Sequence, residues 1–184
     1  MCYYYSVIGN SKKQINSIIL LCGKPASGKT TLRNKIMDRY TNIYSFSCDE
    51  EMLKTYGEIP DSNEFNEKLA LTKNMLYTKA IKMLKTCSVI LDFGFWYKQE
   101  RDKVRHIFKE YNVVLIYLNV EHNTLVQNVK KRNENLAENE YFMDEETLKI
   151  LANKFEEPDE AEDYIEYTNE ENIYNYLDKI LTKK

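Results

Sequence analysis

Residues 23–30 combine residue types at a spacing that suits phosphate binding. The segment is Gly-Lys-Pro-Ala-Ser-Gly-Lys-Thr, and it matches the Walker A pattern GxxxxGK[ST] at every fixed position. Its glycines let the backbone curl with N–H groups pointing inward, and these amides attract anions together with the start of a helix. The lysine brings a charge to the β- and γ-phosphates of ATP. The predicted nucleotide-binding residues are Gly23, Lys24, Pro25, Ala26, Ser27, Gly28, Lys29, Thr30 and Thr31.

An acidic residue ends a second apolar run. Residues 88–92 are Ser-Val-Ile-Leu-Asp, which is the Walker B pattern, and sites in open α/β sheets lie at this carboxyl end of the strands. We predict that the Thr30 hydroxyl and the Asp92 carboxylate hold Mg²⁺. The alternative is that Asp92 is a surface acid that only ends its strand. Gly94, just beyond it, indicates a close approach of the backbone to a ligand.

A second acid, Asp49, follows the apolar run 43–48. If this run is a strand near the first one, its end faces the γ-phosphate, where a carboxylate can accept the proton of an acceptor hydroxyl. Glu50 and Glu51 follow at once, so the alternative is an acidic cluster favoured by the start of a helix. The residues alone leave open whether Asp49 or Asp92 is the base.

Phosphoryl transfer also needs positive charge on the moving group, and two segments offer it. Arg101 and Arg105 are one helical turn apart and could contact the phosphoryl group. The alternative is that they lie on a solvated helix face. Lys130, Lys131 and Arg132 end a helical pattern, where cations also compensate the helix dipole.

An aromatic cluster follows Asp92 and is a candidate wall for an acceptor pocket. Aromatic runs are more often part of a hydrophobic core, so both interpretations are open. The residues concerned are Phe93, Phe95, Trp96 and Tyr97.

The elements that must position these residues follow from hydrophobic periodicity. Short unbroken apolar runs predict strands at 17–22, 43–48, 88–91 and 112–118, with a weaker fifth at 163–167, and such runs are typical of a parallel sheet covered on both faces. Amphipathic periods predict helices at 29–40, 64–86, 97–110, 122–132, 144–155 and 170–182. This alternation indicates an α/β fold built from βαβ units. We predict one domain over residues 1–184, with a lid at 131–143.

Composition excludes some classes of function. The chain has 184 residues and a net charge of −3, which argues against a dedicated duplex-DNA binder. Its mean hydropathy is −0.60, no apolar run reaches the length of a membrane span, and no cysteine pair has the CxxC spacing of a zinc knuckle. We expect a cytoplasmic protein without a membrane partner, present as a monomer or weak dimer.

Together these segments resemble a known group of phosphotransferases. They are similar to P-loop kinases and zeta-toxin-like AAA-type ATPases, and chloramphenicol phosphotransferase and polynucleotide kinases are similar in layout. The resemblance implies a three-layer fold with a five-stranded parallel sheet in the order 2-3-1-4-5, flanked by helices, plus a short lid. It covers about residues 15–182 and is carried by GKPASGKT, FSCDEEM, SVILDFGFW, ERDKVR, VVLIYLNV, KKRN and KFEEPDEAEDYIEY.

The resemblance also implies roles for matching residues. Lys29 and Thr30 would hold the phosphates and Mg²⁺, and Asp49 would bind and deprotonate the acceptor hydroxyl. Arg132, with Lys131, would correspond to the lid cation that stabilises the transferring group. The predicted catalytic residues are thus Lys29, Asp49 and Arg132, and the predicted cofactors are ATP and Mg²⁺.

The sequence therefore predicts a kinase that moves the γ-phosphate of ATP to a hydroxyl of a small-molecule acceptor. One alternative is a polynucleotide 5′-hydroxyl kinase, which is less favoured because the acidic C-terminal third offers few basic residues. The other is a nucleotide-dependent regulatory ATPase, which would need neither a base at Asp49 nor a lid cation.

Overall fold

The computed structural model describes residues 16–57, 62–136 and 142–183, in which strands and helices alternate. The strands are β1 (Ser17–Cys22), β2 (Tyr40–Thr41), β3 (Ile43–Ser47), β4 (Ser88–Gly94), β5 (Asn112–Tyr117), β6 (Ile165–Glu166) and β7 (Thr182–Lys183). The helices are α1 (Lys29–Arg39), α2 (Cys48–Tyr56), α3 (Ser62–Met83), α4 (Lys98–Ile107), α5 (His122–Glu134), α6 (Glu145–Ala152) and α7 (Glu170–Leu177). None of the helices in these ranges has the length and apolar character needed to cross a membrane.

The main sheet has five parallel strands with β1 at its centre. β1 pairs with β4 on one side and with β5 on the other. β3 extends the sheet beyond β4, and β6 extends it beyond β5. The order of the strands in this sheet is β3-β4-β1-β5-β6. β2 is not part of it and pairs with β7 in a separate two-stranded ladder. Numbered among themselves, the five strands follow the order 2-3-1-4-5, so the predicted fold class and strand order are confirmed.

Helices cover both faces of this sheet. Successive side chains of a strand point to opposite faces, and β1 is buried along its whole length. Ile18 and Leu20 pack in a cluster with residues of α2, α3 and α4. Ile19 and Leu21 pack in a second cluster with residues of α1 and α7. The fold therefore has three layers, and the carboxyl ends of its strands meet at one edge.

The prediction missed α2, which begins directly where β3 ends. Ser47 caps this helix, since its hydroxyl accepts a hydrogen bond from the backbone N–H of Glu50 at 3.3 Å, and serine is a favoured capping residue. Asp49, Glu50 and Glu51 occupy the first turn, where the helix dipole favours acids. The acidic cluster considered as an alternative is thus present, and Asp49 is both a helix-start acid and a strand-end acid.

The segment predicted to be a lid, 131–143, begins inside a helix. α5 continues to Glu134, so residues 131–134 of this segment belong to α5, and the lid itself stays a prediction. The Asn133 side chain donates a hydrogen bond to the carbonyl of Met143 at 2.7 Å, which joins α5 to the residues before α6. Residues 137–141 of the predicted lid lie outside the described residues.

Arg101, predicted as a candidate cation for a phosphoryl group, is buried instead. Its guanidinium donates to both carboxylate oxygens of Glu162 at 2.8 and 2.6 Å, and both side chains are at most 1% exposed. It also donates to the carbonyls of Phe95 at 3.1 Å and Glu156 at 2.8 Å. Arg101 therefore lies neither on a solvated helix face nor where it could contact a phosphate. Its hydrogen bonds hold residues 155–162 against the loop after β4.

We expect Glu162→Gln to lower the free energy of unfolding by about 3–5 kcal/mol, because it leaves the Arg101 charge buried without a carboxylate. Urea unfolding followed by circular dichroism measures this. The hydrogen bonds from Arg101 hold the pKa of Glu162 below its ordinary value. The stabilisation is therefore complete above the ordinary carboxyl pKa and is lost as the pH falls through the lowered one.

The matched control for this prediction is Asp102→Asn. Asp102 forms an exposed ion pair with Lys98 at 3.3 Å, and exposed pairs contribute less than about 1 kcal/mol. Equal losses of stability in the two variants would contradict a structural role for the buried pair.

Candidate active site

The phosphate-binding loop joins β1 to α1 and has the backbone that the motif requires. Gly28 precedes α1 in the left-handed region, with φ of 93°, and a Cβ there would meet no atom within 4 Å. A Cβ on Gly23 would lie 2.8 Å from Ser27 Oγ and 2.9 Å from the carbonyl oxygen of Leu118, which excludes any side chain. No described side chain caps α1, so its first amides are available to an anion.

Lys29 lies inside this loop as the first residue of α1. Its Nζ donates hydrogen bonds to the carbonyl oxygens of Gly23 at 3.0 Å and Lys24 at 2.8 Å. Burial lowers the pKa of Lys29 below its ordinary value, and the negative charges of Asp92 and Asp49 oppose that shift. The Lys29 ammonium is thus held by two carbonyl oxygens of the loop, and phosphate oxygens can take the place of these acceptors.

Thr30 and Asp92 meet at the carboxyl edge of the sheet, as predicted for a metal site. The Thr30 hydroxyl donates to Asp92 Oδ2 at 3.0 Å, and Asp92 is only 8% exposed. Burial raises the pKa of Asp92, while the charges of Lys29 and Arg33 act in the opposite direction. The two side chains therefore offer oxygen ligands beside the loop.

The oxygens of Thr30 and Asp92 suit Mg²⁺, which needs few protein ligands, better than a metal ion whose ligands all come from the protein. Within residues 16–57, 62–136 and 142–183, no group of three or more His, Cys, Asp or Glu side chains could hold a metal ion. Mg²⁺ is commonly bound through one or two carboxylates, with phosphate oxygens and water completing its octahedron. The pair of Thr30 and Asp92 suits that arrangement.

Arg33 is a site residue that the sequence prediction missed. It lies on α1, and one of its terminal nitrogens is 2.8 Å from Glu50 Oε1 and 3.6 Å from Asp92 Oδ2. Residues three or four apart share a helix face, so its spacing from Lys29 and Thr30 was a signal that could have identified it. Arg33 adds a second buried cation to the site.

Asp49 lies near this group, on the first turn of α2. Solvent reaches its side chain, but the surrounding protein displaces enough water to raise the pKa of Asp49 above its ordinary value. The Asp92 charge raises it further, whereas Lys29 and Lys73 lower it. Lys29 interacts electrostatically with both Asp49 and Asp92, so the fold brings these three predicted residues into one charge cluster.

Lys73 and Glu100 form a second missed feature on the Asp49 side of the site. Their side chains make an ion pair between α3 and α4 and are 18% and 16% exposed. The two residues lie far apart in the sequence, and nothing in their local patterns marks them. They bring a balanced pair of charges close enough to Asp49 for the Lys73 charge to lower its pKa.

Arg132, the predicted lid cation, lies half-buried in the last turn of α5. One turn before it, Asn128 donates a hydrogen bond to the carbonyl of Ala26 at 2.9 Å, so α5 is anchored to the phosphate-binding loop. Residues four apart lie on the same face of a helix. Arg132 therefore continues the face of α5 that contacts the loop, while Lys130 contacts Glu145 of α6 at 3.9 Å.

The aromatic cluster belongs mainly to the hydrophobic core. Phe93 and Phe95 are buried and stacked, with ring centroids 5.7 Å apart. Trp96 packs partly against the same core, and only Tyr97 is well exposed, at 45%. Gly94 is required by Trp96, because a Cβ there would lie 2.6 Å from the indole nitrogen. The predicted close approach at this glycine is to an aromatic ring of the same chain.

Several solved structures share this fold. A chain of the Pnkp1/Rnl/Hen1 RNA repair complex matches with a TM-score of 0.65 and 20% identity over 79% of this chain and 45% of its own length. Kti12 from Chaetomium thermophilum, solved with ADP-AlF3, matches with a TM-score of 0.61 and 19% identity, and the match covers 89% of this chain and 96% of Kti12. A gluconokinase from Sinorhizobium meliloti 1021 matches with a TM-score of 0.56 and 14% identity, and the match covers 84% of this chain and 83% of the gluconokinase chain.

At these identities the likeness concerns the fold. The chain spans less than half of the RNA repair proteins that it matches, 45% of one and 40% of another. No curated protein matches the chain in sequence. A family model described as AAA domain matches residues 18–158, which contain the loop, Asp49, Asp92 and α5. This match covers most of the sequence, and the chain therefore belongs to the AAA domain family of P-loop proteins.

Proposed function

We propose that this protein is an ATP-dependent phosphotransferase that moves the γ-phosphoryl group of ATP to a hydroxyl of a small-molecule acceptor. One observation carries the proposal: Lys29, Asp92 and Asp49 lie at the carboxyl edge of the sheet, because Lys29 begins α1, Asp92 lies on β4, and Asp49 follows Cys48 after Ser47, which pairs in register with Asp92. A nucleotide switch needs the first two residues but has no use for the Asp49 carboxylate beside them. The fold shared with a gluconokinase supports the same function.

The loop residues would hold the phosphates of the nucleotide. The amides at the start of α1 would bind phosphate oxygens, and Lys29 would exchange its carbonyl partners for the β- and γ-phosphates. Thr30 and Asp92 would hold Mg²⁺, which neutralises charge on the phosphates when bound. Arg132 would add a cation to the transferring group from α5.

Asp49 would act as the general base. The acceptor oxygen forms its bond to phosphorus as the bond between phosphorus and the bridging oxygen of ADP breaks, and the hydroxyl proton passes to the Asp49 carboxylate. A raised pKa makes this carboxylate a better proton acceptor than an ordinary aspartate. The charges of Lys29 and Lys73 oppose this rise in the pKa of Asp49 and so favour its ionised form.

A nucleic-acid 5′-hydroxyl end is the second candidate acceptor, because the fold resembles a chain of an RNA repair complex. The test is ATP turnover by the purified protein with Mg²⁺ against sugars, nucleosides, antibiotics and 5′-hydroxyl oligonucleotides. Phosphorylation of a small compound supports the proposal, and phosphorylation of the oligonucleotides alone replaces the acceptor class. Binding of ATP without any phosphorylated product in the whole panel overturns the kinase function.

We expect Lys29→Met to weaken binding of MgATP by at least about tenfold, because the variant loses the charge that meets the β- and γ-phosphates. Isothermal titration calorimetry measures the affinity. The matched control is Lys35→Met, since Lys35 lies on the same helix and its ammonium pairs with Glu170 at the surface. Unchanged affinity in Lys29→Met, or an equal loss in both variants, contradicts the role of the loop.

We expect Asp49→Asn to reduce kcat by about 10²–10⁴-fold with the acceptor found in the panel, while MgATP affinity stays near that of the parent. Since the pKa of Asp49 is raised, the kcat/KM of the parent should fall on the acid side at a pH above the ordinary aspartate pKa of 3.8. Glu51→Gln, which removes a neighbouring charge paired with Lys79 at 2.8 Å, is the control. A loss under about tenfold in Asp49→Asn would rule out the base.

A further inference from the structure

Arg33 links the two acidic ends of the site. Its guanidinium contacts Glu50 at 2.8 Å and Asp92 at 3.6 Å, and its side chain is only 10% exposed. The two carboxylates differ in burial, because the Asp92 side chain is 6% exposed and that of Glu50 is 56% exposed. The shorter contact is thus to the more exposed carboxylate, and the longer one is to the predicted metal ligand.

A divalent cation and Arg33 would compete for the same carboxylate. Asp92 Oδ2 already accepts a hydrogen bond from Thr30 at 3.0 Å, and a cation bound there would repel a guanidinium only 3.6 Å from that oxygen. This repulsion is strong because water screens buried charges poorly. If the cation displaced Arg33 from Asp92, a buried guanidinium would need another partner, since an unpaired buried charge is strongly destabilising.

Glu50 is placed to be that partner. It follows Asp49 in the first turn of α2, and its Oε1 lies 2.8 Å from the Arg33 nitrogen that also faces Asp92. Arg33 can therefore release Asp92 without losing its ion pair. The contact also ties the helix that carries Asp49 to the helix that carries Lys29 and Thr30.

We propose that Arg33 and Glu50 form a positioning pair that sets the affinity of Asp92 for a divalent cation. Arg33 neutralises Asp92 when no cation is bound, and Glu50 retains Arg33 when the cation binds. Neither residue is a metal ligand in this arrangement. The inference rests on the proposed function, because it takes Thr30 and Asp92 as the place where Mg²⁺ binds with the nucleotide.

The test uses Mn²⁺ as a probe that electron paramagnetic resonance detects when free. Mn²⁺ is titrated into the full chain saturated with a non-hydrolysable ATP analogue, and a titration of the analogue alone is subtracted. We expect Glu50→Gln to weaken Mn²⁺ binding by about fivefold, a typical coupling between contacting residues, because Arg33 then pairs with Asp92 alone. We expect Arg33→Met to tighten binding by a similar factor, because the competitor is gone.

A double-mutant cycle separates this pair from general electrostatics. In the Arg33→Met background, Glu50→Gln should change Mn²⁺ affinity by less than about twofold, because Glu50 acts through Arg33. Glu51→Gln is the matched control, since it removes the same charge one residue along the helix and should leave the affinity unchanged. If Arg33→Met does not give the circular dichroism spectrum of the parent, Arg33→Gln takes its place, because the amide keeps a polar side chain and removes the positive charge that competes for Asp92.

The outcomes separate this inference from the function on which it rests. A chain that binds no Mn²⁺ with the analogue contradicts both. A chain that binds Mn²⁺, with Glu50→Gln and Glu51→Gln equally weakened or with the Glu50→Gln effect intact in the Arg33→Met background, overturns the positioning pair alone. Weakening by Glu50→Gln that disappears in the Arg33→Met background supports it.

Discussion

A loop that binds phosphate must keep several backbone amides unbonded by the protein itself, and the rest of the fold follows from that requirement. Unpaired amides are costly unless something holds the backbone in place. β1 ends at the loop, and the strand pairing continues to its first residue, because the Gly23 N–H bonds the Gly94 carbonyl at 3.2 Å and the Leu118 N–H bonds the Cys22 carbonyl at 2.8 Å. Three neighbouring parallel strands thus fix the loop without using the amides that an anion needs.

The same edge gathers charges that burial alone would neutralise. Burial raises the pKa of Asp49 and Asp92 and lowers that of Lys29. Mutual attraction opposes each of these shifts, and Arg33 adds a further positive charge beside Asp92. Two cations therefore face two carboxylates at the start of α1. Opposite charges this close favour the ionised forms of both partners.

The structure of the candidate site was predictable where it depends on local sequence. The Walker A spacing, the acid at the end of β4 and the unbroken apolar strands all express constraints within about ten residues of chain, and the structure has each of them. Contacts between distant segments were not predictable, because no spacing rule connects them. Arg33 meets Glu50, Lys73 meets Glu100, and α2 begins at once after β3, since tertiary packing and a serine cap outweighed the strand pattern.

Arg101 shows why residue type and helix position were not enough. From the sequence it was a cation one turn from another arginine, yet it is enclosed by the segment 155–162, which follows α6. That segment reaches the loop, since Glu157 bonds Lys24 at 2.6 Å and the Lys24 ammonium lies 5.9 Å from the centre of the Phe155 ring. The buried ion pair with Glu162 thus holds one end of the segment in the core, and the other end contacts the loop. Arg101, predicted as a cation for a phosphoryl group, instead positions this segment of the chain beside the loop.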